Sequence, residues 1–175
     1  MPLSARKGVY LCCQPIIMTM AYDVYQIANS LLRLADDQCD PMINMKLQKM
    51  LYYEQGYHLA YFGTPLFREE IRAWFYDPVV PCVYNKYKVY DNKQIEADES
   101  ISDVDFKDDD EWAVFRRVFD VFSVYSATGL INMTRSEEPW LKADVNNNEV
   151  ITKVSMKRYF KKRVERKRQE MSAQL

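Results

Sequence analysis

The chain has a single histidine, and that residue limits the catalytic chemistry that the sequence can offer. A Ser-His-Asp or Cys-His apparatus would have to use His58 as its base, with Cys82 or a serine as nucleophile. Nothing in the sequence places these groups together. His58 falls on an otherwise apolar helix face, which is typical of a partly buried, hydrogen-bonded core residue. We therefore assign no catalytic residue and expect a protein that is not an enzyme.

The other candidate ligands do not form a metal or cofactor motif. The cysteines Cys12, Cys13, Cys39 and Cys82 contain no CxxC pair, whereas a structural zinc site needs four convergent nitrogen or sulfur ligands. The acidic run Asp108-Asp109-Asp110 lacks the alternating oxygens, central glycine and terminal glutamate of a calcium loop. No GxGxxG or GxxxxGK segment occurs in the sequence. We expect no metal and no cofactor.

The composition is typical of a globular domain. Apolar residues make up 48% of the 175 and aromatic residues 14%, enough to bury a core without disulfides or metal. The net charge of -1 gives no overall attraction to nucleic acid or to an anionic membrane. No apolar run approaches the roughly 20 residues that cross a bilayer, and the start lacks a secretory signal pattern. The sequence therefore indicates a cytoplasmic protein without membrane contact.

Apolar periodicity and capping residues predict a mainly α fold, a compact bundle of about six helices. Asp23 can cap a first helix that ends before Pro41. Asn44 can cap a second, stronger helix, and Gly63 supplies its end. After that helix, residues 70–76 alternate in a way that predicts at most a short extended or strand segment.

Four further helices complete the predicted bundle. Pro81 can occupy the first turn of a short, tyrosine-rich third helix. Ser126 can cap a brief fifth helix, and Thr152 or Ser155 the last one. The fourth helix is marked by an aromatic stripe that we expect in the core, formed by Trp112, Phe115, Phe119 and Phe122.

Opposite charges are concentrated in two segments. Residues 91–111 hold ten acidic residues against two lysines, which predicts a solvated, mobile loop. Residues 153–168 hold nine basic residues against Glu165, the feature that could indicate nucleic acid. Cations at a helix C-terminus favour the macrodipole, and the acidic loop is available as counter-charge. We therefore favour protein contact over nucleic acid, and keep as the alternative a nucleic-acid-binding regulator that uses this helix.

Several stretches, in order along the chain, form a pattern that resembles the Panacea domain of SocA-like antitoxins. They are Tyr22-Asp23-Val24 with Ala28-Asn29, Lys46 to Tyr53 with Gln55-Gly56 and Pro65-Leu66-Phe67, Ala73 to Pro81 with Val83-Tyr84, Thr134 with Glu138-Pro139-Trp140, and Tyr159-Phe160. The resemblance covers residues 20–160, which we interpret as the domain. Residues 1–19 would be an N-terminal extension, and residues 161–175 the basic end of a C-terminal helix.

The resemblance implies a helical, bacterial or phage-borne cytoplasmic domain, of the kind encoded beside a toxin that it neutralises by direct binding. Related members also act as adaptors that deliver the toxin to an ATP-dependent protease. The cognate toxin of a neighbouring gene is thus the expected partner, and the sequence does not indicate an oligomeric state. Two positions depart from the family pattern, with Asp77 in place of glycine and Arg135 in place of histidine.

We expect the partner to bind a patch formed by the Lys46 to Tyr53 helix face and the Trp74 to Tyr84 turn. Tyrosine and tryptophan are enriched at binding hot spots, which makes the aromatic residues of this region the candidates. The candidate partner-binding residues are Lys46, Gln48, Lys49, Tyr52, Tyr53, Trp74, Tyr76, Tyr84, Glu138 and Trp140.

Overall fold

The computed structural model describes residues 21–75, 77–143 and 149–173. The first helix, α1, spans Val24–Asp37. The Asp23 carboxylate accepts hydrogen bonds from the backbone N–H groups of Tyr25 and Gln26, at 2.7 and 3.3 Å, which confirms the predicted cap. The proposed extension, residues 1–19, lies outside the described residues.

The second helix, α2, spans Asn44–Phe62 and packs against five other helices and the hairpin described below. Its predicted end is confirmed, because Gly63 has φ 78°, the left-handed geometry that glycine adopts without strain. Its predicted cap is wrong. The N-cap is Ile43, and the Asn44 side chain instead donates to the backbone carbonyl of Tyr84 at 3.2 Å.

A small hairpin and a short helix follow α2. Strand β1, Arg72–Ala73, pairs antiparallel with β2, Pro78–Val79, which confirms a short strand within residues 70–76 and adds its partner. Tyr76, which falls between the two strands in sequence, lies outside the described residues. Helix α3, Pro81–Tyr87, begins at Pro81 as predicted and continues into a 3-10 turn, Lys88–Tyr90.

The acidic segment, residues 91–111, packs against α1 over part of its length. Ile95 is fully buried and Val104 is 9% exposed. The Asn29 amide donates to the carbonyls of Asp98 and Ile101, at 3.1 and 2.9 Å, and accepts from the N–H of Asp98 at 2.8 Å. The expectation of a fully solvated loop is therefore wrong, because two apolar side chains and a buried amide fix it to the core.

Helix α4, Asp109–Phe122, carries the predicted aromatic stripe with one correction. Phe115, Phe119 and Phe122 are buried, but Trp112 is 42% exposed. At 3.6 residues per turn, Trp112 lies roughly 50° from the centre of the stripe. It therefore covers the edge of the core, against the rings of Phe106 and Phe115, instead of entering it.

Three helices end the chain. Ser126 caps α5, Ala127–Arg135, and Thr152 caps α7, Lys153–Ser172, as predicted. A short helix that the sequence did not predict, α6, spans Glu138–Lys142 between them. With seven α-helices and two short strands in the described ranges, the predicted mainly α bundle is confirmed. None of these helices is both long and apolar enough to span a bilayer.

The core is aromatic where α2 meets α4 and α7. The rings of Tyr53 and Phe122 stack with centroids 3.8 Å apart, and Phe160 of α7 presents its edge to Tyr53 at 6.1 Å. Gly56 allows this approach, because a Cβ atom at that position would collide with the Phe160 ring. The glycine thus sets how closely α7 packs on α2.

Candidate partner-binding groove

The structure buries most of the α2 residues that the sequence placed on an exposed patch. Lys49, Tyr52 and Tyr53 have no exposed surface, Gln48 is 1% exposed and Lys46 is 5% exposed. The reason is the central position of α2, which has neighbours on most of its sides. The expectation that this helix face is open to a partner is therefore wrong.

Tyr52 and Tyr53 are part of a buried polar cluster. Their hydroxyl groups donate to the two carboxylate oxygens of Glu137, at 2.9 and 3.2 Å, and Arg163 of α7 donates to the same carboxylate at 2.7 Å. Burial raises the pKa of Glu137, an effect that the Arg163 charge opposes. These contacts join α2, α6 and α7, so the two tyrosines hold the scaffold together.

Lys46 also has a structural position. Its ammonium group donates to the carboxylate of Asp40 at 2.6 Å and to the carbonyl of Ser123 at 2.8 Å. One contact lies in the segment between α1 and α2, and the other at the end of α4. Lys46 thus ties three parts of the chain together.

Two other polar residues of α2 fix the hairpin. The Lys49 ammonium group lies 2.8 Å from the Asp77 carboxylate and donates to the Pro78 carbonyl at 3.1 Å. The Gln48 amide oxygen accepts the N–H of Val80 at 2.9 Å. Burial lowers the pKa of Lys49 to about 8, although the Asp77 charge opposes this shift. The turn after β1 is therefore attached to the core by buried bonds.

A groove of about 810 Å³ lies over this attachment, between α2, the hairpin, α3 and α5. Gln48 and Lys49 lie at its floor, and Trp74 and Tyr84 form a wall with their ring centroids 5.0 Å apart, edge to face. At its rim Phe75 is 66% exposed and Met45 is 40% exposed. The groove thus combines exposed apolar surface with a rigid polar base.

Both departures from the family pattern line this groove. Asp77 does not adopt a positive φ, and its carboxylate pairs with Lys49. Arg135 lies with its guanidinium 5.8 Å from the ring centroid of Trp140. Two charged side chains therefore contribute to the surface of the groove.

The remaining candidates lie elsewhere. Glu138 of α6 accepts from Lys142 at 2.5 Å and from Arg158 at 3.3 Å, away from the groove, and Trp140 is 9% exposed. Of the nine predicted residues that the structure describes, four line the groove: Gln48, Lys49, Trp74 and Tyr84. The sequence missed Phe75 and Met45, although Phe75 lies in a turn bounded by Pro78, where an apolar side chain is easily left exposed.

His58 is the buried core residue that its sequence context predicted. It is 5% exposed, and its Nδ1 lies 2.8 Å from the Thr64 carbonyl. Its Nε2 is 3.7 Å from the carboxylate of Glu111, which accepts a hydrogen bond from Tyr22. Burial lowers the pKa of His58. Within the described ranges, His, Cys, Asp and Glu form no cluster of three that could hold a metal ion.

Comparison with known proteins identifies the family of this chain. The family model described as "Antitoxin SocA-like, Panacea domain" matches residues 47–141, more than half of the chain. The chain belongs to this family. It is also 37% identical, over 73 residues, to "Antitoxin SocA" of Caulobacter vibrioides (strain NA1000 / CB15N). The aligned segment covers 42% of this chain and 39% of that relative, and no solved structure matches.

The family match covers the groove except for its lining residues Asn44 and Met45. Residues 47–141 include most of α2, the hairpin, α3 and α5, which are the four elements around it. The basic helix α7 lies beyond the matched residues. The groove is therefore the candidate site that the family match contains.

Proposed function

We propose that this chain is an antitoxin that neutralises a cognate toxin by direct contact, and that the toxin docks in the groove between α2, the hairpin, α3 and α5. Membership of the SocA-like family supports the antitoxin role. The observation that carries the location is the exposed apolar rim beside a rigid polar floor. Phe75, two thirds exposed, stands next to the Trp74 and Tyr84 ring pair.

The groove suits a protein partner because its floor is fixed before binding. Buried bonds from Asn44, Gln48 and Lys49 hold α3 and the hairpin in place. A partner that docks here orders few side chains, which keeps the entropic cost of association low. Trp74 and Tyr84 are of the residue types that dominate binding energy, and Phe75 and Met45 add apolar area that association would cover.

Inhibition in this proposal is steric, since the antitoxin covers the working surface of the toxin and makes or breaks no bond. The toxin would come from a neighbouring gene, and both proteins would act in the cytoplasm. Delivery of the bound toxin to an ATP-dependent protease is a compatible extension. It would require that the complex leaves another face of the antitoxin accessible.

Co-expression with the neighbouring gene tests the proposal. We expect wild-type protein to rescue growth from the toxin, and the Trp74→Ala/Phe75→Ala double variant to lose rescue and co-purification. Binding should weaken at least tenfold, because the loss of two central contacts costs on the order of 2 kcal/mol or more. The matched control is Val154→Ala, which truncates a side chain that is 77% exposed on α7.

The outcomes separate the role from the location. If wild-type protein neither rescues growth nor binds the neighbouring gene product, the antitoxin role is wrong. If wild-type protein rescues and the double variant rescues equally well, the role stands and the groove is the wrong site. Thermal unfolding of each variant must match wild type, so that a loss of rescue reports binding instead of folding.

A further inference from the structure

The last turns of α7 extend beyond the core of the domain. Val164 is its last buried side chain, and residues 165–173 are all exposed. The basic end of α7, which we define as residues 161–168, carries six basic residues against Glu165. This segment therefore presents a concentrated positive charge on a helix with little packing of its own.

Little of this charge is neutralised within the described part of the chain. Arg163 pairs with Glu137 at 2.7 Å, and Arg166 lies 3.7 Å from Glu170. Lys161, Lys162 and Lys167 form no salt bridge with any described residue. No carboxylate of the acidic segment forms a salt bridge with α7 among the described residues, and Asp98 and Asp103 pair elsewhere.

The partners of those carboxylates lie on α1 and α3. Asp103 pairs with Arg33 of α1 at 3.2 Å, and Asp98 lies 3.7 Å from Lys86 of α3. The expectation that the acidic segment neutralises α7 is therefore not met by any contact among the described residues. One of the two reasons for preferring protein contact over nucleic acid is thus removed.

We propose that the basic end of α7 binds the phosphate backbone of nucleic acid without reading its sequence. The segment from Lys161 to Arg168 rises about 10 Å, comparable to three base-pair steps of a duplex. Lysines without a salt bridge among the described residues are available to replace counterions at phosphates. This binding is independent of the toxin-docking groove.

Other partners fit this surface less well. A helix that binds a membrane surface needs a continuous apolar face, whereas the large exposed apolar side chains of α7, Val154 and Met171, point in different directions. A specific protein interface has a buried apolar centre, and the basic end offers none. The basic end of α7 has concentrated positive charge without an apolar centre, and this surface is complementary to the phosphate backbone of nucleic acid.

The test measures binding of the full chain to a short, fluorescein-labelled DNA duplex of arbitrary sequence, by anisotropy across a salt series. We expect the logarithm of the binding constant to fall with the logarithm of salt with a slope of about -3, for three to four phosphate contacts. Lys161→Gln/Lys162→Gln/Lys167→Gln should weaken binding at least tenfold and reduce the magnitude of the slope by about 2 to 3.

The control removes the same charge elsewhere. Lys88→Gln/Lys93→Gln/Lys107→Gln neutralises three exposed lysines that lie outside α7, and it should leave the affinity for the duplex within twofold of wild type. Equal effects of the two triple variants would show a response to net charge alone and overturn the proposal. Absence of wild-type binding at low salt would also overturn it. Polyglutamate and unlabelled duplex are also compared as competitors at equal charge concentration. If polyglutamate competes better than the duplex does, the surface binds acidic protein and the proposal is overturned.

Discussion

At the scale of single residues, the least expected feature is the buried Glu54 carboxyl group, one oxygen of which has no partner among the described residues. Glu54 is 2% exposed, and its Oε1 makes no hydrogen bond with any described atom. Burial raises the pKa of this carboxyl well above its ordinary value. The group is therefore held in its neutral form in the folded protein, at a pH where the unfolded chain would ionise it.

This shift makes stability depend on pH in a defined direction. The folded-state pKa lies above the unfolded value of 4.5, so the folded state binds the extra proton and the free energy of unfolding falls as pH rises above that value. We predict that Glu54→Gln removes this loss. The stability of the variant relative to wild type should increase by up to about 1.4 kcal/mol per pH unit above 4.5.

Urea unfolding at several pH values above 4.5 measures this difference. The other titratable groups are the same in both proteins, so the difference between the two proteins isolates Glu54. Glu99→Gln is the control, because the Glu99 side chain is 95% exposed and its replacement should change the free energy of unfolding little. Parallel stability curves for wild type and Glu54→Gln would show that Glu54 is ionised in the folded state.

Residue type alone could not separate the candidate residues that are buried within the scaffold from those that line the groove. Trp74 and Tyr53 are equally plausible contact residues by composition, yet Tyr53 is fully buried and donates to Glu137. Lys49 is an ammonium group that a sequence pattern places in solvent, and only Asp77, 28 positions away, explains its burial. Information of this kind lies in contacts between distant residues, which a single sequence does not contain.

At the scale of elements, local signals predicted the helices well. Asp23, Ser126 and Thr152 each cap the helix that they were expected to cap, because a cap needs only a side-chain oxygen and the next N–H groups. The errors arose where tertiary contacts decide. The Asn44 side chain donates to the backbone carbonyl of Tyr84 instead of capping its own helix. The Asn29 side chain of α1 donates to the backbone of the acidic segment.

The packing of α7 on α2 depends on the absence of a side chain at Gly56. A Cβ atom there would collide with the Phe160 ring, which is itself fully buried. We predict that Gly56→Ala lowers the free energy of unfolding by about 1 to 3 kcal/mol, despite the better helix propensity of alanine. Urea denaturation with the linear extrapolation measures this change.

A second variant identifies the cause. Phe160→Leu in the Gly56→Ala background should recover part of the loss, because a smaller side chain leaves room for the methyl group. Gly129→Ala in α5, where the new Cβ would meet Ser126 Oγ at 3.3 Å, should have the smaller effect. If Gly56→Ala were as stable as wild type, α7 would not be held against α2 as closely as described.

At the scale of the whole molecule, the domain is organised around α2, with α7 closing one side. The closing contacts are the ring of Phe160, the salt bridge from Arg163 to Glu137, and the side chain of Val164, which is 8% exposed. The sequence pattern placed the end of the domain at Phe160. The burial pattern predicts that the structural domain extends through Val164, and that the exposed residues after it serve a different purpose.

Two truncations test where the domain ends. Removal of residues 166–175 takes away no buried side chain among the described residues 166–173, and should change the free energy of unfolding by no more than about 0.5 kcal/mol. Removal of residues 161–175 deletes Arg163 and Val164, and so leaves the buried Glu137 carboxylate without its cation. That loss should cost at least about 2 kcal/mol, because a buried charge whose partner is removed is strongly destabilising.

The full-length variant Arg163→Met distinguishes loss of the ion pair from fraying of a shortened helix. Tyr52 and Tyr53 still donate to Glu137 in this variant, so the carboxylate keeps two hydrogen bonds and loses its cation alone. We expect Arg163→Met to account for most of the difference between the two truncations, measured by thermal and urea unfolding at neutral pH. Equal stability of both truncations would place the end of the domain at Phe160. Removal of residues 166–175 also removes Arg166, Lys167 and Arg168. If this truncated protein is as stable as wild type but binds the DNA duplex more weakly, the basic end contributes to binding and not to the stability of the domain.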